Sequence, residues 1–303
     1  MSSRRQRVAI TGASGLIGGA LSSLLGEGGH DVVHLVRREP STAGERRWDP
    51  AAGTLDPAAL ADVDTVVHLA GAGVGDRRWT PGYKRTIRSS RVDGTALLAR
   101  AVADGAGPAR LVTASAVGFY GDRGDEVLTE DSAGSGRFLA DVVRDWEDAA
   151  TPALDAGISV AHARTGIVLS TTGGALVPML RLGRLGLGGP LGSGRQWMPW
   201  ITLADTVAAY RRLVEDPSIT GPVNLTAPVP VRQRELARAL GRRLHRPALL
   251  PAPRTAMYAV LGEFAGEALA SARVLPQRLS QAGFEHAHPR LEDAFDHLLG
   301  QPD

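Results

Sequence analysis

Gly12, Gly15 and Gly18 stand at a spacing of three and three in Val8-Ala9-Ile10-Thr11-Gly12-Ala13-Ser14-Gly15-Leu16-Ile17-Gly18, between a short β-branched run and a run with helical periodicity. Few local structures satisfy that pattern. Gly12 permits a tight turn out of a strand, Gly15 lets backbone approach a pyrophosphate, and Gly18 lets the helix lie close on the strand. The free N–H groups of the helix start then face negative charge. A second apolar run, Val32 to Val36, completes a βαβ start, so residues 6 to 38 are expected to form a Rossmann dinucleotide site. Its candidate contacts are Thr11, Gly12, Ser14, Gly15, Leu16, Ile17 and Gly18.

The second strand runs into Arg37-Arg38, where an NAD-selective site places an acid for the ribose 2′-hydroxyl. Two guanidiniums offer forked donors to a 2′-phosphate and a flat cation to an adenine face. The expected cofactor is therefore NADP(H) rather than NAD(H), with a merely solvated arginine pair as the alternative.

Further β-branched runs at Thr65 to Leu69, Leu111 to Ala114 and Ser159 to Ala163 alternate with helical patterns at Leu16 to Leu25, Val92 to Val102 and Phe138 to Ala150. That alternation predicts an α/β fold, a Rossmann-like doubly wound parallel sheet with helices on both faces. After Ile167 the chain becomes glycine-rich, with six glycines between positions 183 and 194, which reads as a long loop over the site. Another strand and helix follow from Trp200 through Val214, then a strand at Val223 to Leu225. Arg- and Ala-rich helices broken by prolines begin near Pro228, so the expected division is residues 1–227 and a smaller, mainly helical subdomain at 228–303.

A chain of 303 residues with 43% apolar residues can bury a full core. A net charge of only +2 gives no argument for nucleic acid, and no apolar run approaches the roughly 18 residues of a membrane span. With no cysteine there is neither a disulfide nor a thiolate metal site. His286 and His288 could share one strand face, but no third ligand accompanies them and no metal is expected. The default expectation is a cytoplasmic monomer or homodimer with a small-molecule substrate.

Thr11 to Gly18, together with Asp64-Thr65-Val66-Val67-His68-Leu69-Ala70-Gly71, resembles the extended short-chain dehydrogenase/reductase superfamily, as does Arg91-Val92-Asp93-Gly94-Thr95 with Arg where that group usually has Asn. Thr113 to Gly121, Leu128 to Asp131, Trp146-Glu147, Arg164-Thr165-Gly166, Gly186 to Trp200 and Asn224 to Pro228 are similar to one atypical, epimerase-like branch whose C-terminal domain has no assigned function. The resemblance implies that Leu69, Ala70 and Gly71 pass beneath the cofactor, with Ala114, Arg164 and Gly166 edging the nicotinamide pocket. It also implies that Arg91, at a helix start, reaches a phosphate or the substrate. Arg195 would hold a substrate phosphate; Gln196, Trp197 and Trp200 beside it can wall the pocket, although the tryptophans can as readily be core.

The superfamily's usual Tyr-x-x-x-Lys pair is missing, because Asp131 to Val160 contains neither residue. With the helix starting at Phe138, Phe138 and Val142 occupy the two places. Ser115 and Tyr120 remain as candidate catalytic groups, although Ser115 can equally bond backbone and Tyr120 reads more readily as a packing ring than as an acid. Tyr83 adjoins Lys84, but neighbours on a helix point about 100° apart and are no catalytic pair by adjacency. Two functions fit: an NADP-dependent epimerase-like oxidoreductase, or a cofactor-binding sensor without turnover.

Overall fold

The computed structural model describes residues 4–105 and 107–300. β1 (Arg7–Thr11) passes through the glycine turn into α1 (Leu16–Glu27), followed by β2 (Asp31–Val36), β3 (Glu45–Asp49), β4 (Thr54–Leu55) and β5 (Thr65–His68). Next come α2 (Pro81–Ala103), β6 (Arg110–Ala116), β7 (Val127–Leu128), α3 (Phe138–Asp148), α4 (Thr151–Asp155), β8 (Ser159–Thr165) and β9 (Ile167–Leu169). α5 (Leu176–Arg184), β10 (Trp197–Met198), β11 (Trp200–Thr202), α6 (Leu203–Glu215), β12 (Gly221–Leu225) and β13 (Val231–Arg232) lead to the last part of the chain. That part holds α7 (Gln233–Arg243), α8 (Arg254–Leu261), α9 (Ala265–Ala268), β14 (Arg273–Val274), α10 (Gln277–Gln281) and α11 (Leu291–Leu299).

The main sheet has the order β12-β8-β6-β5-β1-β2-β3-β4 and is parallel up to the antiparallel β3–β4 edge. Because β1 lies between β2 and β5, the strand order reverses beside it, and a crevice opens at the carboxyl ends of these strands. Leu21, Leu25, Tyr210 and Leu213 cover one face of the sheet, while Leu97, Leu98, Val102 and Ala153 cover the other. The central strands β1, β5, β6 and β8 thus bury both faces, which explains the nearly continuous apolar runs in the sequence.

α2 starts eleven residues before the expected Val92, so Arg91 lies inside a helix and not at its start. Thr80 caps this helix by accepting from the Tyr83 N–H, and Pro81 supplies a preset first turn. Its first half was hidden because Arg85, Thr86, Arg88 and Ser89 are exposed and break the apolar period. The glycine-rich stretch also departs from the expected open loop. Its first residues belong to α5, and the remainder packs on the C-terminal part, where a Cβ on Gly189 would lie 1.9 Å from the Leu250 carbonyl oxygen.

Residues after 228 share cores with earlier segments. Leu236, Leu240 and Phe295 pack with Leu176, Leu180 and Trp200, while β14 pairs with β7. His286 and His288 occupy an irregular segment rather than a strand. There Asp205 accepts from the Ala287 and His288 N–H groups, and His286 Nε2 bonds the Thr226 carbonyl. Among the described residues, no group of three or more His, Asp or Glu could hold a metal, and no helix is long and apolar enough to cross a membrane.

Candidate functional site

At the end of β1 the chain turns at Gly12, whose φ of +70° favours glycine. A Cβ there would stand 2.9 Å from the Ala70 nitrogen, and one on Gly18 would stand 2.2 Å from the Gly12 carbonyl oxygen. The turn therefore admits no side chain at either position. Gly15 caps α1 without a side-chain hydrogen bond, and the first turn of α1 carries no acid. Exposed Ser14 and Gly15 and the uncapped helix start make a cradle of N–H donors sized and signed for a pyrophosphate.

Thr11 is fully buried and acts from behind the cradle. Its Oγ1 accepts from the Leu69 and Ala70 N–H groups at 3.1 and 3.2 Å, so its proton goes to His68 Nδ1 at 2.7 Å. His68 then carries its own proton on Nε2, which faces the α2 backbone beside Arg91 and Gly94. Burial, reinforced by the Arg91 charge, depresses its pKa to about 4. This neutral, dry contact fixes Leu69 to Gly71 against the turn. Thr11 is thus a positioning residue and not the direct contact expected of it.

Beyond β2, Arg37 is exposed and makes no salt bridge or side-chain hydrogen bond among the described residues. Arg38 instead clasps Glu45 on β3, with Nη1 at 2.8 Å from Oε2. The Arg38 hydrogen bond, aided by Ser41, holds the Glu45 carboxyl down at about 2. The pair expected to act together is split into one free cation and one paired cation. Arg91 packs against Gly71, gives Nη1 to the Ile87 carbonyl at 2.9 Å, and lies over the Trp146 ring. Burial lowers its guanidinium to about 10. Its contacts fix α2 against Gly71 and α3.

On the other side of the crevice a chain of buried side chains joins β6, α3, β8 and β12. Ser115 donates Oγ–H to Glu147 Oε1 at 2.6 Å, and Arg164 grips both carboxylate oxygens at 2.8 and 2.7 Å. Arg164 also donates to the Tyr120 hydroxyl at 3.2 Å, and that hydroxyl donates to Asn224 Oδ1 at 2.8 Å. The Asn224 N–H in turn reaches Glu130 Oε1. Burial opposes the Arg164 charge, but the bonds and charge of Glu147 outweigh it and hold the guanidinium above its usual value. Burial likewise raises the Tyr120 phenol despite Arg164.

One alternative is selected here and two expectations change. Tyr120 is fully enclosed with its hydroxyl committed, so it is a packing and hydrogen-bonding ring and no available acid. Arg164 turns inward to Glu147 and does not edge an open pocket. Trp200 is 1% exposed within the core shared by α5 and α7, giving its Nε1–H to the Val229 carbonyl, and walls no pocket. Gln196 is also buried, bracing the glycine-rich stretch through the Leu191 carbonyl, while Arg195 is exposed near Asp125. Gly166 is a close-packing position, where a Cβ would lie 2.3 Å from the Pro199 carbonyl oxygen, and Ala114 is half-buried near the end of β6. Sequence reasoning passed over Glu147, Asn224 and Glu130. Their only signal was membership in the quoted stretches, since no local pattern marks a carboxylate aimed 32 residues back at a serine.

Residues 8–141 match the NAD dependent epimerase/dehydratase family, and residues 252–298 match a domain of unknown function, DUF1731. An epimerase family protein of Mycobacterium bovis is 47% identical over 297 residues, covering 97% of this chain and 98% of its own. The crystal structure of the human epimerase family protein SDR39U1 with NADPH is 33% identical, with a TM-score of 0.89 over 97% of this chain and 99% of that one. A nucleoside-diphosphate sugar epimerase from Corynebacterium glutamicum is 39% identical with a TM-score of 0.82; the match covers 98% of this chain but only 59% of that protein.

Proposed function

This chain belongs to the epimerase family, in the branch that carries DUF1731, and we propose that it is an NADP(H)-binding oxidoreductase acting on a small sugar-like or phosphorylated substrate. The observation that carries the reading is the glycine cradle with free Arg37 beyond the second strand, opposite the buried Ser115–Glu147 pair. The NADPH bound by the human relative supports the choice of cofactor.

In this reading the backbone at Gly12 to Gly18 holds the pyrophosphate, and Arg37 takes the 2′-phosphate while Arg38 stays on Glu45. Leu69 to Gly71 form the floor beneath the ribose and nicotinamide, fixed by Thr11 and His68. The cofactor supplies hydride chemistry when bound. Ser115, its hydroxyl given to Glu147, and Arg164, on the same carboxylate, brace β6, α3 and β8 against one another behind the crevice. Arg195, exposed and forked, is available to a substrate phosphate.

A second reading, a cofactor-binding sensor, draws on the absence of both tyrosine and lysine from Asp131 to Val160, where the resemblance to the superfamily leads to the expectation of its Tyr-x-x-x-Lys pair. The deciding experiment measures NADPH and NADH affinity by cofactor fluorescence, then oxidation of bound NADPH against carbonyl compounds and nucleotide sugars. NADPH preference with turnover is the expected result. Equal affinities sink the cofactor assignment, and a partner protein recovered only with NADP(H), without turnover of any probe, favours the sensor.

A further inference from the structure

We propose that Lys84 is a catalytic residue of this chain, its ammonium giving a proton to the oxygen of a carbonyl substrate held beyond Leu69 to Gly71; the inference rests on the oxidoreductase reading above. The first reason is compositional. Lys84 is the one lysine among 34 Lys and Arg residues, so arginine fills every other cationic position in the chain. Arginine pairs with a carboxylate or stacks on an aromatic ring at least as well as lysine does, but its guanidinium does not give up a proton near neutral pH. A lysine in this setting singles out a task that arginine cannot perform.

The second reason is location. Lys84 lies in the first turn of α2, just after the loop that leaves β5 through Leu69 to Gly71. Tyr83 donates its hydroxyl proton to the Gly73 carbonyl and Trp79 donates Nε1–H to the Val74 carbonyl, which ties that turn to the loop. Lys84 Nζ stands 4.5 Å from the centre of the Phe138 ring and 5.8 Å from that of Trp79. Phe138 is the first residue of α3, the helix that also carries Glu147. Trp79 packs edge-on against Phe138 and tilted against Phe264, which closes one side of the ammonium's surroundings with hydrocarbon.

The third reason is a route for the proton. Lys84 pairs with Glu263, from the C-terminal part of the chain, whose side chain is 54% exposed and leads to solvent. In the step itself the Nζ–H bond breaks and an O–H bond forms on the substrate, whose carbonyl carbon is reduced by NADPH. Nζ then recovers a proton from water past Glu263. The C-terminal domain thereby acquires a role, since it supplies both the counter-charge and the Phe264 wall.

Lys84→Arg separates proton transfer from simple bracing, because it keeps the Glu263 pair and the ring contact. With any carbonyl probe that the wild type reduces, this variant is expected to lose about 100-fold or more in kcat, the scale of general acid catalysis, with NADPH affinity unchanged. Added primary amines should restore part of the rate to Lys84→Ala. Undiminished kcat in Lys84→Arg overturns the proposal. A second measurement needs no turnover: as the sole lysine, Lys84 reports its own modification by pyridoxal 5′-phosphate trapped with borohydride, with peptide mapping to separate the α-amine. Saturating NADPH should slow that labelling at least about tenfold, and an unchanged rate also overturns the proposal. If wild type reduces no probe yet labelling is strongly protected, the oxidoreductase reading fails and Lys84 falls with it as a catalyst. Protected labelling with undiminished turnover in Lys84→Arg removes Lys84 alone.

Discussion

The two polar clusters that flank the crevice solve the same problem by different means. At the β1–β5 side, Thr11 and His68 hold the chain through two backbone N–H groups, and three glycines clear space for a ligand to meet main chain directly. At the β6–β8 side, five side chains make the cluster, four from β6, α3, β8 and β12 and Tyr120 from the segment after β6, with Ser115 and Glu147 separated by 32 residues and Tyr120 and Asn224 by 104. A site made of backbone depends on local sterics and tolerates little substitution. A site made of side chains depends on every partner arriving, and an ionic one suffers most when a partner is missing.

That contrast sets the largest expected effect. Glu147→Ala leaves the Arg164 guanidinium, 4% exposed, without its counter-charge. Breaking a buried pair costs about 3–5 kcal/mol, so the midpoint of urea unfolding should fall sharply while NADPH affinity in the folded fraction stays the same. A small stability change would mean that Arg164 finds water or another acceptor, and the two sides would then be less different than drawn here.

Next in size is a pH effect at the backbone side. His68 titrates at about 4 in the fold against 6.5 unfolded, so between these values the unfolded chain binds the extra proton and stability is lost as pH falls. The shift corresponds to about 3 kcal/mol, fully present above pH 6.5 and gone below pH 4. His162 and His286 are depressed in the same direction, also mainly by burial. Chemical denaturation across this range should show the slope, and His68→Asn should flatten it. An unaltered slope in that variant would move the effect to the other two histidines.

Gly18→Ala tests the backbone cradle itself. Its Cβ meets the Gly12 carbonyl oxygen at 2.2 Å, and overpacking of this kind costs about 1–3 kcal/mol, which predicts a loss in NADPH affinity of about 10- to 100-fold. Wild-type affinity would show that the turn yields readily and that its glycines are not the reason for the fit. The smallest expected effect belongs to Arg37→Ala, which should weaken NADPH by about tenfold and leave NADH unchanged, as befits one exposed charge-assisted contact. Comparing it with Arg38→Ala shows whether the cation held by Glu45 contributes at all.

The same contrast explains what could be read in advance. The glycine turn, the alternation of strands and helices, and the parallel sheet were legible because each follows from a spacing of a few residues. The first half of α2 was not, since its exposed Arg85, Thr86, Arg88 and Ser89 carry no apolar period and only the Thr80–Pro81 start marks it. Trp200 and Tyr120 had the right chemistry for a pocket but the wrong address, because a ring's solvent exposure depends on what packs over it from distant segments.

The sequence by itself determined the Rossmann start, the place of the phosphate cradle and the absence of the Tyr-x-x-x-Lys pair, all matters of local sterics or simple presence. Only the tertiary structure decided that Glu147 faces Ser115, that Arg38 is paired while Arg37 is free, and that Lys84 lies over Phe138 with Glu263 beside it. Those outcomes depend on which side chains meet across helices and strands far apart in the chain, where burial and charge pairing choose the partners.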